Sequence, residues 1–242
     1  SRTLMAMAAG ELTQDMSAYQ YGQDTMQYFQ RIAGKTASLF AASAEGGAII
    51  AGAPPAWTEA LRYYGESVGM AFQIVDDILD FEGDEAELGK PAGSDLMEGT
   101  LTLPALLLME RNPDDNPIKH LFDNRHRKEH VAEAIAMIQE SDILDESYRV
   151  ARDFRDRAVT ALEPLPDSSD RAALVDLAEL VVQRRSKLRA PGCYKALGGA
   201  SACPSKKTRA STARRLSACS SAGSATMRSR PAPNAAATTC AA

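Results

Sequence analysis

Between Pro55 and Phe81, Leu61, Tyr64, Val68, Ala71, Phe72, Val75, Ile78 and Leu79 recur at the i, i+3, i+4, i+7 spacing of one helix face. That spacing predicts a single long buried helix, opened by Pro55 or Ala56 after the Pro54-Pro55 break. A helix of this length has to run through the interior of a helical domain. Yet its last third reads FQIVDDILD and carries Asp76, Asp77 and Asp80. Aspartate is a weak helix former and is rarely buried without a partner. Three of them woven into apolar sequence therefore ask for a chemical reason.

The rest of the first 186 residues also reads as helix. Met16 to Ala53 keeps helical spacing throughout, with GGAIIAG offering a small-residue surface for close helix packing. EGDEAELGKPAGSDLMEG is a charged, glycine-rich loop, and LTLPALLLMER is a helix that tolerates Pro104 near its start. NPDDNP is a turn. Helices are expected at roughly 126–140, 142–163 and 169–186, the last opened by a Ser or Asp cap in SSDRAALVDL. No period-2 strand pattern and no long repeat is present, so the expected fold class is all-α.

Charge divides the chain. All 32 acidic residues precede Lys187, whereas 10 of the 27 lysines and arginines lie from Lys187 onward. The four cysteines, Cys193, Cys203, Cys219 and Cys240, fall in the same tail. Residues 1–186 are thus one acidic, cysteine-free unit, which suits a cytoplasmic protein without disulfides. Residues 187–242 are a basic, low-complexity tail with few large apolar residues. It is expected to be disordered, or to be out-of-frame translation of GC-rich DNA, rather than a nucleic-acid-binding arm. No apolar run is long enough for a transmembrane helix, and SRTLMAMAAGELTQ lacks the pattern of a signal peptide.

On a helix, Asp76 and Asp80 are i, i+4, Asp77 and Asp80 are i, i+3, and Gln73 lies one turn before the first two. Like charges this close repel and titrate together. A hard divalent cation holds such a group ionised. Mg²⁺ takes one or two carboxylates and completes its shell with water and phosphate oxygens. Lys90, Gly93, Ser94 and Asp95 follow within twenty residues of Asp76. Lys90 is a point charge suited to phosphate, Gly89 and Gly93 let backbone approach a ligand, and Asp95 can reach the outer shell of a metal. Lys35-Thr36, upstream in YFQRIAGKTASLF, becomes a second cation for a diphosphate if its helix faces the carboxylates.

FQIVDDILD followed by GKPAGSDLMEGTLTLP resembles the trans-isoprenyl diphosphate synthases, also called polyprenyl synthetases. YFQRIAGKTASLF is similar to the family's lysine–threonine helix, and GELTQ at 10–14 to the helix that follows the family's first catalytic segment. The resemblance covers essentially all of 1–186. It implies a helical bundle around a deep cavity, a homodimer, and Mg²⁺-dependent head-to-tail transfer of an allylic prenyl diphosphate onto isopentenyl diphosphate. Carried over by motif, Asp76 and Asp80 are expected at the metal, with Asp77 oriented nearby and Asp95 in the outer shell. Lys35 and Lys90 are expected on the allylic diphosphate. Thr36 and Gln73 are expected at the reacting end, and Phe72 in the wall of the isopentenyl pocket.

Two departures matter. Thr100 stands where many members carry a lysine after Glu-Gly. The family's first aspartate-rich motif is also absent, and PDDNP is a turn rather than a substitute. The expectation is a C-terminal portion of a synthase, inactive alone and with exposed apolar faces. A non-catalytic partner subunit is the alternative, and a terpene cyclase or squalene-type synthase is a third reading that the lysine–threonine helix and GKPAGSDL argue against. His120, His126 and His130 are expected on a solvated helix face, and Met5, Met7, Met16, Met26 and Met70 in the core.

Overall fold

The computed structural model describes residues 2–82, 92–123 and 128–184. Lys90, Gly89, His126, the acidic cluster Asp84, Glu85 and Glu87, and the whole tail 187–242 lie outside the described residues. Among the described residues ten α-helices form: α1 (Arg2–Ser17), α2 (Thr25–Ile32), α3 (Ser38–Ile50), α4 (Pro55–Glu82), α5 (Ser94–Met97), α6 (Leu103–Arg111), α7 (Pro117–Asp123), α8 (Lys128–Gln139), α9 (Ile143–Ala161) and α10 (Ser169–Gln183). A π-helical turn, Ala33–Ala37, joins α2 to α3 without a break. No strand occurs among the described residues, so the all-α expectation holds.

α4 is the axis of the domain. Proline at its first position fits, because that position needs no N–H donor. Its buried stripe includes Tyr64, Val68, Ala71, Val75, Ile78 and Leu79, as the periodicity requires. α3 lies along one side of it and α9 along another. α9, the helix expected at 142–163, buries Ile143, Ala151 and Ala158, and burial continues into Leu162. Ser168 caps α10, its Oγ accepting from the Arg171 N–H at 3.1 Å.

Several expectations need correction. The helix expected from Met16 through Ala53 is interrupted at 18–24, where Tyr19 adopts a positive φ of 59°. Asp24 then restarts the chain: its carboxylate accepts from Gln27 N–H, and the Gln27 side chain accepts from Asp24 N–H. This reciprocal pair satisfies two helix-start donors at once. α7 starts at the end of the NPDDNP turn, where no helix is expected from the sequence, because Ile118, Leu121 and Phe122 can be buried together.

Close helix packing comes from other small residues than those in GGAIIAG. A Cβ on Gly46 or Gly47 would meet nothing, and Ile50 is 89 % exposed. α3 and α4 instead approach at Gly65 and Gly69, where a Cβ would lie 2.5 Å from the Phe40 carbonyl and 2.6 Å from the Ala37 Cα. Of the methionines, Met70 is core, whereas Met5, Met16 and Met26 are exposed beside Leu4 and Leu12. The outer surface of α1 and the start of α2 are thus apolar and uncovered. His120 pairs with Asp115 at 2.6 Å, and its ring packs 5.5 Å from that of the mostly buried His130. His130 is therefore not on a freely solvated face.

Candidate functional site

FQIVDDILD separates its three carboxylates once α4 is packed. Asp80 points into the protein, with 0 % exposure. Its two oxygens accept from Ser94 Oγ at 2.8 Å and from the Asp95 N–H at 3.1 Å. The Asp80 carbonyl also accepts from Gly93 N–H at 2.8 Å. Asp80 therefore fastens GSD to α4. Gly93 is needed there: its φ is +70°, and a Cβ would lie 2.8 Å from Ile135 Cδ1. The sequence suggested Gly93 as a place of close ligand approach; in the fold the near neighbour is α8.

Asp77, 4 % exposed, is the centre of a hydrogen-bond chain. It accepts from Tyr28 O–H and from Gln73 Nε2–H, each at 2.8 Å, while Gln73 Oε1 accepts from Thr36 O–H at 2.7 Å. A carboxylate only accepts, so Gln73 must turn its NH₂ toward Asp77 and its carbonyl toward Thr36. Burial pushes the Asp77 carboxyl up to about 7, opposed by the Gln73 and Tyr28 hydrogen bonds. Burial likewise raises the Tyr28 hydroxyl well above its ordinary value, and Asp77 adds to the shift.

The π-turn places Lys35 opposite. Single π-turns within helices recur at functional sites because they rotate one side chain out of register. GELTQ explains how this turn is held. Gly10 touches the Lys35 backbone so closely that a Cβ would lie 2.6 Å from Lys35 N. One residue on, Glu11 pairs with Lys35 Nζ at 2.8 Å, and Gln14 Oε1 accepts from it at 3.1 Å. The two upstream motifs therefore act as one unit.

Gln14, Lys35, Gln73, Asp76, Asp77 and Asp95 line a common cavity of about 340 Å³, with Arg31, Ile32, Thr100 and Thr102 completing its wall. Residues from four distant stretches of sequence meet there. Asp80 and Phe72 do not line it. Phe72 packs on Phe40, ring centroids 5.4 Å apart. The cavity wall also holds a buried hydroxyl without a hydrogen-bond partner, Thr102 Oγ1. A larger groove of about 810 Å³, lined by Phe29, Met70 and Phe154, is mainly apolar, with Glu66, Asp156 and Arg157 also in its lining.

Three participants were missed in the sequence. Tyr28 and the buried Arg31 lie one turn apart on α2, with the guanidinium 5.5 Å from the ring centroid. Arg31 donates to the Leu101 carbonyl and to Gln23, and burial lowers its pKa against the pull of Asp77. A buried tyrosine needs a partner for its hydroxyl, which is the signal that could have found Tyr28. Arg184, just past α10, reaches Asp76 with Nη1 at 3.5 Å from Oδ1. Nothing in its local sequence announces that.

A family model of polyprenyl synthetases matches residues 1–138. The heptaprenyl diphosphate synthase component 2 of Geobacillus stearothermophilus is 39 % identical over 187 residues, covering 76 % of this chain and 57 % of the relative. An all-trans-nonaprenyl-diphosphate synthase of Rhodobacter capsulatus is 39 % identical over 180 residues, 74 % of this chain and 55 % of that protein. Among solved structures, the heptaprenyl diphosphate synthase of Staphylococcus aureus superposes with a TM-score of 0.72 at 34 % identity, covering 76 % of this chain and 58 % of that one. A polyprenyl synthase of Caulobacter crescentus, complexed with calcium and isoprenyl diphosphate, gives 0.72 at 37 % identity over 76 % and 57 %. The chain spans little more than half the length of these relatives. No helix among the described residues is long and apolar enough to cross a membrane. The motifs, the helical fold and these likenesses agree, and the chain belongs to the polyprenyl synthetase family.

Proposed function

We propose that this chain carries one wall of a prenyltransferase site, serving head-to-tail condensation of an allylic prenyl diphosphate with isopentenyl diphosphate. The observation that supports this most is the shared cavity of Lys35, Gln73, Asp76, Asp77 and Asp95, cations and carboxylates facing one space fit for a diphosphate. The donor set suits a hard divalent cation, since only oxygen ligands are offered. Among the described residues no group of three His, Cys, Asp or Glu forms a metal cage, so any ion must fill its shell with water and phosphate oxygens, the habit of Mg²⁺. Asp76 and Asp95 would hold Mg²⁺, which when bound supplies positive charge to a leaving diphosphate. Asp80, assigned to the metal by motif, is better read as the anchor that positions Asp95.

The remaining work falls to the protein's own groups. Lys35, steadied by Glu11 and Gln14, presents an ammonium to diphosphate oxygens, and Lys90 would add a second. Asp77 fixes the Gln73 amide and the Thr36 hydroxyl, so their dipoles stay oriented at the reacting end. Phe72 would wall the isopentenyl side. We read the complete enzyme as a homodimer and the 242-residue chain as inactive alone, because its sequence contains only one aspartate-rich helix.

A second reading, a non-catalytic partner subunit, draws on one observation: a similar protein is named as component 2 of a synthase. The test is calorimetric titration of an allylic thiodiphosphate with and without Mg²⁺, beside an assay of labelled isopentenyl diphosphate incorporation. Mg²⁺-dependent binding that Asp76→Asn abolishes is expected, with no turnover by the chain alone. Binding indifferent to Mg²⁺ would end the metal–diphosphate reading. Turnover by the purified chain would end the requirement for a second wall.

A further inference from the structure

Arg184 is held in an unusual way. α10 ends at Gln183, and Arg184 follows in extended backbone geometry. From there its guanidinium stacks over the Phe72 ring at 4.0 Å, donates from Nη2 to the Phe72 carbonyl at 2.6 Å, and lies 3.5 Å from Asp76. The side chain is only 9 % exposed. Nε and Nη1 are buried and make no hydrogen bond. A buried guanidinium short of two hydrogen bonds is costly to keep, and proximity to a carboxylate only partly offsets that cost.

The position is informative. Asp76 is one of the carboxylates that line the cavity, and it already has a cation beside it. A divalent ion on Asp76 would stand close to the Arg184 guanidinium and repel it, so the two cations disfavour each other at this group. An arginine reaching Asp76 from regular helix would be fixed in place. One reaching it from the first extended residue beyond a helix end can leave by rotation of a few backbone bonds.

We infer that Arg184 is a resident counter-ion of Asp76 that a divalent cation displaces, so that metal loading unfastens the end of α10 from α4. The inference rests on the proposed metal role of Asp76. Phe72 is then the shelf on which the strap lies as well as a pocket wall. Release takes the guanidinium off the Phe72 ring and carbonyl.

The test uses the full chain and the metal alone. Trypsin cleavage after Arg184 is followed by intact mass, in Mg²⁺ and in NaCl of matched ionic strength. Cleavage requires Arg184 to leave Phe72, so its rate follows the released population. At least about threefold faster cleavage in Mg²⁺ is expected, with the difference abolished in Asp76→Asn. In parallel, Mn²⁺ binding is measured by electron paramagnetic resonance, and Arg184→Met is expected to bind about tenfold tighter than wild type. Mn²⁺ binding by wild type with unchanged or slower cleavage in Mg²⁺ would overturn the strap alone. Absence of Mn²⁺ binding in both wild type and Arg184→Met would overturn the metal role of Asp76 and the strap with it. The cleavage measurement stands on the wild-type chain if Arg184→Met fails to fold.

Discussion

The Tyr28 hydroxyl donates to the buried Asp77 carboxylate across 2.8 Å, joining α2 to α4 beneath the candidate diphosphate cavity. Both groups are almost without solvent. Tyr28→Phe leaves Asp77 with one fewer donor in a dry environment. A loss of ~1–3 kcal/mol in unfolding free energy is expected, the range for a buried acceptor deprived of a charge-assisted hydrogen bond. Urea denaturation at neutral pH measures it. An unchanged midpoint would show that the hydroxyl contributes nothing to stability.

The same carboxyl predicts a pH dependence. Folded Asp77 titrates at about 7, against 3.8 for the unperturbed group. Between these values the folded state binds a proton that the unfolded state does not. Its contribution to stability is therefore full below about pH 4, falls as pH rises toward 7, and is flat above. Asp77→Asn removes this slope, so its stability relative to wild type rises by ~4 kcal/mol between pH 4 and pH 8 in metal-free buffer. Parallel denaturation curves for the two proteins would contradict the assignment.

Asp76 and Asp80 are one turn apart and are predicted to fail differently. Asp80→Ala strands the Ser94 hydroxyl and the Asp95 N–H in the interior, which costs ~3 kcal/mol and loosens GSD. Asp76→Asn takes the counter-ion from Arg184 but keeps an acceptor there, so a smaller loss of stability than in Asp80→Ala is expected, together with loss of metal-dependent ligand binding. Thermal melts paired with calorimetry separate the two. Equal losses of stability would refute the division of roles.

Lys35 is one-third exposed and its partner Glu11 about half exposed. Such a pair contributes at most ~1 kcal/mol to stability. Lys35→Met is therefore expected to fold nearly as wild type, yet to bind an allylic thiodiphosphate at least about tenfold more weakly. Wild-type affinity in this variant would exclude Lys35 from the diphosphate site.

Gly69→Ala sets two effects against each other. Alanine favours helix by ~1 kcal/mol. The new Cβ, however, would lie 2.6 Å from the Ala37 Cα, a backbone atom that no rotamer change can move. Overpacking should win, with a net loss of ~1–3 kcal/mol. A raised melting temperature would mean that α3 and α4 can separate without penalty.

Much of this protein is legible along the chain. The apolar spacing of 55–81 specifies α4, Pro54-Pro55 specifies its start, and Ser168 specifies the start of α10, because these signals act within a few residues. Asp24 and Gln27 are equally local, and their reciprocal cap was readable behind the continuous helical spacing. Lys35, Gln73, Asp76, Asp77 and Asp95 were identified as chemical groups because their types and motif spacing are unusual in buried helix.

Which partners each carboxylate takes is decided only by packing. Helical spacing makes Asp76, Asp77 and Asp80 near-equivalent neighbours on one helix. The fold assigns Asp80 to GSD, Asp77 to Tyr28 and Gln73, and Asp76 to the cavity and Arg184. Those partners lie between 4 and 108 positions away in the chain, and no local pattern encodes which of them will arrive. Exposure of Met5, Met16 and Met26 has the same origin. Hydrophobicity states what a side chain prefers, whereas burial depends on which helix is present to cover it.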